Sequence, residues 1–172
     1  MKKLLIVVDM QNDFVDGSLG TKEAEEIVAH VKAKVERYQE QGDDVIFTRD
    51  THTKDYLDTQ EGKKLPVVHC VKGTKGWEII DCLQPYVHNV FDKPTFGSVK
   101  MANIVSSRRY EKIELIGLCT DICVVSNALL LKALLPETKI YVDASCCAGV
   151  TPETHKAALE TMKMCQINVI GE

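Results

Sequence analysis

Short apolar runs alternate along the chain with segments in which apolar residues recur every three or four positions. The apolar runs predict strands, and they cover residues 4–8, 44–48, 89–91, 112–118, 139–144 and 167–170. Each run is apolar at nearly every position, which is typical of parallel strands buried on both faces. Helical spacing predicts helices over residues 21–42, 98–107, 121–135 and 152–165. We expect Gly42 to end the first helix and Thr151 to cap the last.

This alternation of strands and helices predicts an α/β fold in which a sheet lies between two layers of helices. We expect a three-layer α/β/α arrangement around a mostly parallel, doubly wound sheet of six strands. No repeat, low-complexity tract or linker divides the sequence, so we expect one domain over residues 1–172. Residues 50–87 depart from the pattern, since they predict only a short helix near 76–84. Long connections in compact domains are usually functional, and we expect this one to contribute to a site.

Composition and charge exclude several classes of partner. The net charge is −4 and no basic stripe is present, which argues against a nucleic-acid partner. The opening MKKLLIVVDM imitates a signal peptide, but its apolar part is confined to residues 4–8 and no small-residue cleavage site follows. No apolar run approaches the roughly 20 residues of a membrane span. The seven cysteines are an odd number without an export signal, so we expect reduced thiols and a cytoplasmic protein.

Polar residues stand where the predicted strands end. Asp9 follows the first strand, Asp50 the second, Lys93 the third, and a loop with Cys119 and Cys123 the fourth. In an open parallel sheet, ligands bind beyond the carboxyl ends of the strands. Each residue alone is unremarkable, because an Asp after a strand is usually a turn or cap residue and a Lys is usually a solvated charge. Their shared placement predicts that an Asp, a Lys and a Cys meet above the sheet.

Cys123 is the stronger candidate nucleophile of the two thiols in that loop. With Thr120 or Asp121 as cap, the helix over 121–135 places Cys123 in its first turn. There the helix dipole is expected to lower the pKa of the thiol, and free N–H groups can form an oxyanion hole. Cys119 is expected to fill space and lend its N–H. We expect packing roles for Cys70, Cys82, Cys146, Cys147 and Cys165, although the pair after the fifth strand leaves a place at the site rim open.

The long connection contains a candidate metal site. Asp50 and His52 lie two apart at a strand end, and His69 returns from the connection. A carboxylate with two imidazoles is a recurring ligand set for catalytic zinc, and N/O ligands also suit iron or manganese. Glu61 or Asp58 is available as a fourth ligand. The alternative is that both histidines are loop residues bonded to the backbone.

Four motifs resemble the isochorismatase-like cysteine hydrolases and, within them, the nicotinamidases. They are "VVDMQNDF" at 7–14, "DTH…HCVKGTKGWEI" at 50–79, "FDKPTFGS" at 91–98 and "GLCTDICV" at 117–124. The motifs follow the order of the family and cover essentially the whole chain. Resemblance to this family implies the isochorismatase-like hydrolase fold and the chemistry of a cysteine hydrolase.

Position by position, the resemblance assigns roles to the residues at the strand ends. Asp9 is implied to be the base, Lys93 to orient and tune the pair, and Cys123 to be the nucleophile. The peptide N–H groups of Cys119 and Cys123 are implied to form the oxyanion hole. A cis peptide is also implied between Leu118 and Cys119.

The resemblance further implies a metal held by Asp50, His52 and His69, with Glu61 as the better match for the fourth ligand. Phe14 matches one position that stacks on the substrate ring. The second stacking aromatic, which usually stands shortly before the metal-loop histidine, is missing from "LPVVH" at 65–69.

Because of this departure, we expect either a weakened Michaelis constant with normal turnover or a substitute ring. Tyr56 and Trp77 are the candidates to fold into the place of the missing aromatic.

The implied activity is metal-dependent hydrolysis of a small primary carboxamide through a Cys123 thioester, with nicotinamide as the first candidate. Alternatives are a ureido or carbamoyl compound, a vinyl ether, or a catalytically silent binding module. Thiol redox chemistry is disfavoured because C-x-x-x-C is not the C-x-x-C motif. The sequence leaves the oligomeric state open, a homo-oligomer included.

Overall fold

A computed structural model describes residues 1–172 and contains a six-stranded sheet. The strands are β1 Lys3–Val8, β2 Asp44–Asp50, β3 Val90–Lys93, β4 Lys112–Leu118, β5 Lys139–Ala148 and β6 Asn168–Ile170. Their order is β3-β2-β1-β4-β5-β6, and every neighbouring pair is parallel. The predicted doubly wound α/β fold is confirmed, and the sheet is parallel throughout.

Helices cover both faces of the sheet. The α-helices are α1 Asn12–Val15, α2 Lys22–Glu26, α3 Val28–Glu40, α4 Gln60–Lys64, α5 Val99–Ser106, α6 Val125–Leu134 and α7 Pro152–Met164. Helices α1, α2 and α3 pack on one face with Leu5 and Val7 of β1, whereas α5, α6 and α7 pack on the other face with Ile6 and Val8. Alternate side chains of one strand therefore enter two different cores. This explains why the strands are apolar at nearly every position.

Two predicted helices differ from the structure. The helix expected over 21–42 is interrupted at Ile27, which keeps helical angles (φ −81°, ψ −12°), so only the hydrogen-bond ladder breaks there. The helix expected near 76–84 is wrong. Two 3₁₀ segments, Lys75–Trp77 and Asp81–Tyr86, occupy this region, and Pro85 inside the second has no N–H for an α-helical bond.

Local capping explains where two helices begin. Thr151 caps α7 as expected, because its hydroxyl accepts from the Thr154 N–H at 3.1 Å. Helix α4 was not predicted from the sequence. It begins after Thr59, whose hydroxyl accepts from the Gly62 N–H at 3.0 Å.

Strand β4 approaches β1 closely just before the cysteine loop. Gly117 pairs with Val8 and has φ +115°. A Cβ at this position would lie 2.1 Å from the Val8 carbonyl oxygen, so a side chain would push the strands apart. No helix of the protein combines the length and apolar character needed to cross a bilayer.

A buried charge cluster joins α3 to the sheet. Lys34 donates to Glu114 at 2.5 Å and to Asp143, while the Tyr38 hydroxyl donates to Glu114 at 2.8 Å. Lys112 completes the cluster at 2.6 Å from Glu114. Burial by itself would raise the pKa of both carboxyls, but the cations beside them hold both pKa values below their ordinary range.

We expect Lys34→Met to destabilise the protein by about 3–5 kcal/mol, because it leaves two buried carboxylates without their shared cation. The lowered pKa values mean that the stabilisation is present above about pH 4.5 and is lost as the pH falls through them. The deficit of the variant should therefore shrink between pH 7 and pH 4, as its carboxyls become protonated. Urea unfolding at both pH values measures this.

Lys32→Met is the matched control, since Lys32 lies on the same helix in an exposed pair with Glu36 at 3.5 Å. It should cost less than about 0.5 kcal/mol. An equal cost for the two variants, or a deficit of Lys34→Met that does not change with pH, would contradict the assigned role of the cluster.

Candidate active site

The residues predicted at the strand ends arrive at one edge of the sheet. Asp9 follows β1, Asp50 and Lys93 end β2 and β3, and Cys119 follows β4. Because the sheet order is β3-β2-β1-β4, these four strands are consecutive neighbours. Asp50 and Lys93 are also direct register partners. The topology thus places the predicted residues side by side.

The buried side chain of Lys93 is the centre of the site. Its ammonium nitrogen lies 2.7 Å from Asp9 Oδ2, 3.3 Å from Cys123 Sγ and 3.5 Å from Asp50 Oδ1. It also donates to the Thr95 carbonyl at 3.2 Å. The structure therefore brings Asp9, Lys93 and Cys123 together, as the sequence predicts.

Burial is the largest influence on the pKa values of Lys93, Asp9 and Cys123. Burial alone would lower the pKa of Lys93, but the Asp9 carboxylate and Cys123 raise it, so the ammonium stays charged. Burial raises the pKa of Asp9 despite the attraction of Lys93, which makes the carboxylate a stronger proton acceptor. Burial and then the charge of Asp9 raise the pKa of Cys123 well above its ordinary value.

The expectation that the helix dipole lowers the pKa of Cys123 is therefore wrong. The sulfur is fully desolvated, and burial together with the charge of Asp9 outweighs the Lys93 ammonium, which by itself would lower the pKa of the thiol. The raised pKa favours the protonated thiol, which gives a base beside the sulfur a role in its activation.

Thr48 supports the candidate base and was missed in the sequence, where it is only the last residue of an apolar run. Its hydroxyl donates to Asp9 Oδ1 at 2.6 Å, and its carbonyl accepts from the Asp9 N–H at 3.2 Å. Asp9 itself has φ +48°, a left-handed conformation that is uncommon outside glycine. Both bonds hold the carboxylate in this turn.

The cysteine loop forms a π-helical turn over Thr120–Val124, which continues into α6. The expected cis peptide between Leu118 and Cys119 is confirmed. The capping role expected of Thr120 or Asp121 is wrong, because neither side chain bonds the turn.

Thr120 and Asp121 instead tie the turn to the following segments. The Thr120 hydroxyl bonds His155 Nδ1 on α7 at 2.7 Å, and the Asp121 carboxylate accepts from the Val150 N–H at 3.1 Å. The turn that carries Cys123 is thus anchored by hydrogen bonds to α7 and to the segment before it.

Four candidate metal ligands converge at the same edge. Asp50, His52, Glu61 and His69 each offer one ligand atom, and these atoms lie within 4.8 Å of one another. Asp50 Oδ2 is 2.8 Å from His52 Nε2 and 3.4 Å from His69 Nε2. Helix α4 supplies Glu61, whose Oε1 is 3.6 Å from His52 Nε2, so Glu61 and not Asp58 completes the group.

The group fits a divalent cation. His69 Nδ1 bonds the Val67 carbonyl at 2.7 Å, which leaves Nε2 directed at the cluster. Asp50 Oδ1 is buried and accepts no hydrogen bond. Its nearest cation is the Lys93 ammonium at 3.5 Å. Two carboxylates and two imidazoles in this arrangement are the donor set of zinc, iron or manganese.

A cavity of about 630 Å³ lies over both groups. Its walls include the four candidate ligands and the two cysteines of the loop, together with the apolar residues Phe14, Leu19, Leu65, Phe96, Leu118, Ile122 and Val150. Phe14 lies with its ring centre 5.5 Å from that of His69.

Neither substitute ring expected from the sequence lines this cavity. Tyr56 is fully buried behind the histidines, and its hydroxyl donates to the Leu65 carbonyl at 2.8 Å. Trp77 donates to Thr51 at 2.9 Å and lies under the Arg49 guanidinium. Phe96, which is 40% exposed, is the additional aromatic in the wall.

The other cysteines divide between core and surface. Cys70, Cys146 and Cys147 are buried, and none of them lines the active-site cavity. The packing role expected for Cys82 and Cys165 is wrong, since both are exposed.

Comparison with known proteins agrees with this geometry. The family model described as the isochorismatase domain matches residues 3–171. The chain belongs to the isochorismatase family. It is similar to the nicotinamidase of Saccharomyces cerevisiae, with 25% identity over 99% of this chain and 100% of that protein.

Solved structures are similar over the same extent. The nicotinamidase/pyrazinamidase of Bacillus subtilis has a TM-score of 0.86 and 28% identity, covering 99% of this chain and 100% of that one. The pyrazinamidase of Pyrococcus horikoshii in complex with zinc has a TM-score of 0.85 and 27% identity, covering both chains completely. Together with the family match, these relatives identify the chain as an amide hydrolase.

We expect Cys123→Ala to lose amide hydrolysis by about a thousandfold or more, because only Cys123 contacts Lys93. Cys119→Ala is the control and should keep most activity, since its thiol has no contact with Lys93 and its expected contribution is a backbone N–H. Ammonia release measures turnover, and intact-mass analysis locates an acyl adduct. An adduct on Cys119, or an active Cys123→Ala enzyme, would overturn the assignment.

Proposed function

We propose that this protein is a metal-dependent cysteine amidohydrolase that converts nicotinamide to nicotinate and ammonia. The observation that carries the proposal is the single cavity shared by Cys123 and the four candidate ligands, above the buried Asp9–Lys93 pair. In this proposal the ring of the amide lies near the ligands and its carbonyl faces the Cys123 thiol, since both line the same cavity.

Asp9 and Cys123 perform the first half of the reaction. Asp9 takes the proton of the Cys123 thiol, and the sulfur forms a bond to the amide carbon while the carbonyl electron pair moves to oxygen. The N–H groups of Cys119 and Cys123 stabilise this oxyanion. The Cys119 N–H donates to no protein acceptor, which supports this role. Collapse breaks the C–N bond, and Asp9 returns its proton to the leaving nitrogen.

Water completes the reaction. Asp9 takes a proton from water, whose oxygen attacks the thioester carbon, and the C–S bond then breaks. Asp9 returns the proton to the Cys123 sulfur. Lys93 remains charged throughout and holds Asp9 in place at 2.7 Å.

Asp50, His52, His69 and Glu61 are the residues that would hold the metal, with zinc as the first candidate. When bound, the cation supplies a Lewis-acid contact for the pyridine nitrogen. Phe14 and Phe96 offer apolar ring contacts in the same cavity. In this proposal Phe96 fills the role expected of Tyr56 or Trp77 as the second ring.

A ureido or carbamoyl acid is the second candidate substrate. Lys64 lines the cavity and forms no ion pair with a carboxylate of the protein. Its ammonium group is therefore available to a substrate carboxylate. Nicotinamide is preferred because its ring gives a role both to the ligand cluster, through the ring nitrogen, and to Phe14 and Phe96 in the cavity wall.

A substrate panel tests the proposal by ammonia release. Nicotinamide should exceed benzamide by at least about tenfold in kcat/KM, because benzamide lacks the ring nitrogen. Aliphatic amides and ureido acids complete the panel. Equal kcat/KM values for nicotinamide and benzamide would contradict the proposed contact between the metal and the ring nitrogen. Ammonia from ureido acids alone would favour the second candidate, and release from no compound would contradict the amidohydrolase proposal.

We expect Phe96→Leu to raise KM for nicotinamide about 2–12-fold with little change in kcat, which corresponds to losing about 0.5–1.5 kcal/mol of ring contact. Steady-state kinetics measures both constants. Val99→Ala, an exposed apolar residue three positions later that does not line the cavity, should change neither. An unchanged KM in Phe96→Leu would exclude Phe96 from the ring site.

A further inference from the structure

Two side chains of the segment that follows β1, Gln11 and Asp13, form hydrogen bonds with the backbone at or next to candidate metal ligands. We propose that Gln11 and Asp13 are positioning residues that hold the ligand-bearing segments, so that metal affinity depends on two side chains that never touch the metal. This inference rests on the metal site of the proposed function.

Gln11 fixes the strand end that carries Asp50. Its side chain is fully buried, its Oε1 accepts from the Asp50 N–H at 2.8 Å, and its Nε2 donates to the Asp50 carbonyl at 2.8 Å. The same Nε2 donates to the Trp77 carbonyl at 2.9 Å. The Gln11 amide therefore pairs with both backbone groups of the candidate ligand Asp50. It also ties them to Trp77, in the connection between β2 and β3.

Asp13 fixes the peptide that follows His69. Its carboxylate accepts from the Cys70 N–H at 2.7 Å. Cys70 has φ +48°, a left-handed conformation that is unfavourable for a non-glycine residue. The Cys70 carbonyl in turn accepts from the His52 N–H at 2.9 Å. Asp13 therefore holds a residue whose backbone lies between two ligands.

The packing around Asp13 shows that its position is specific. A Cβ built on Gly76 would lie 2.2 Å from Asp13 Oδ2, so the connection between β2 and β3 packs this closely over the carboxylate because residue 76 has no side chain. An aspartate that served only as a solvated loop residue would not need this clearance.

Neither residue acts by direct contact. Gln11 and Asp13 are absent from the cluster of candidate ligands and from the wall of the cavity. Their effect must pass through the backbone of Asp50 and Cys70. Residues that orient metal ligands from outside typically contribute 10–100-fold to affinity.

The test measures zinc affinity of the full chain, purified without a histidine tag and stripped with a chelator, by competition with a chromophoric chelator. No substrate is present. We expect Gln11→Met, which keeps side-chain length but forms no hydrogen bond, and Asp13→Ala each to weaken zinc binding about 10–100-fold. Asp13→Asn keeps an acceptor oxygen and should restore most of the affinity.

Asn12→Ala is the matched control. Asn12 lies between the two residues and donates to the same loop, at Lys75 O (2.8 Å) and Glu78 O (3.2 Å), but not next to a ligand. It should change zinc affinity by less than about threefold, a small fraction of the loss typical for residues that orient ligands.

Each outcome bears on a separate claim. Equal losses in Asn12→Ala, no loss in Gln11→Met and Asp13→Ala, or no recovery in Asp13→Asn would overturn the positioning role. If Gln11→Met does not fold, as judged by circular dichroism of the metal-free protein, the Asp13→Ala and Asp13→Asn pair decides. A wild-type chain that binds no zinc, manganese or iron would overturn the metal site itself, whereas failure to hydrolyse nicotinamide leaves the affinity comparison intact.

Discussion

The buried ammonium of Lys93 is the charge to which the other groups of the site are matched. A cation with 1% exposure has lost its water, and it is stable only if anions replace that water. Asp9 and Asp50 supply those anions at 2.7 and 3.5 Å, and Cys123 Sγ lies 3.3 Å away. The candidate base, nucleophile and first metal ligand are therefore positioned by one ion.

Sheet topology explains how a chain can meet this requirement. The chain passes from β1 to β2 and β3 on one side and then crosses to β4 on the other. The crevice lies where the strand order reverses, which is the usual ligand position of an open parallel sheet. Asp9 follows β1, and the turn that carries Cys123 follows the neighbouring strand β4. Asp9, Lys93 and Cys123 thus meet near the strand ends, whereas the long connection between β2 and β3 brings in Glu61 and His69.

Much of this could be predicted from the sequence because it depends on local pattern. Apolar runs define the strands, and the polar residues that end them share an edge. What depends on packing could not be predicted. Burial reversed the expected shift in the pKa of Cys123, tertiary packing buries Lys34 against Glu114, and the path of the loops places Phe96 in the cavity wall. Gln11 and Thr48 became meaningful only through their contacts.

The two oxygens of Asp50 connect the thiol chemistry to the metal site. Oδ1 faces Lys93 at 3.5 Å, whereas Oδ2 faces His52 at 2.8 Å and His69 at 3.4 Å. In their ionised forms, Asp9, Asp50 and Glu61 carry two more charges than Lys93 neutralises, which is the charge a divalent cation brings. Because these groups are largely removed from solvent, that imbalance is weakly screened. The candidate metal site and the buried lysine are thus two parts of one charge balance.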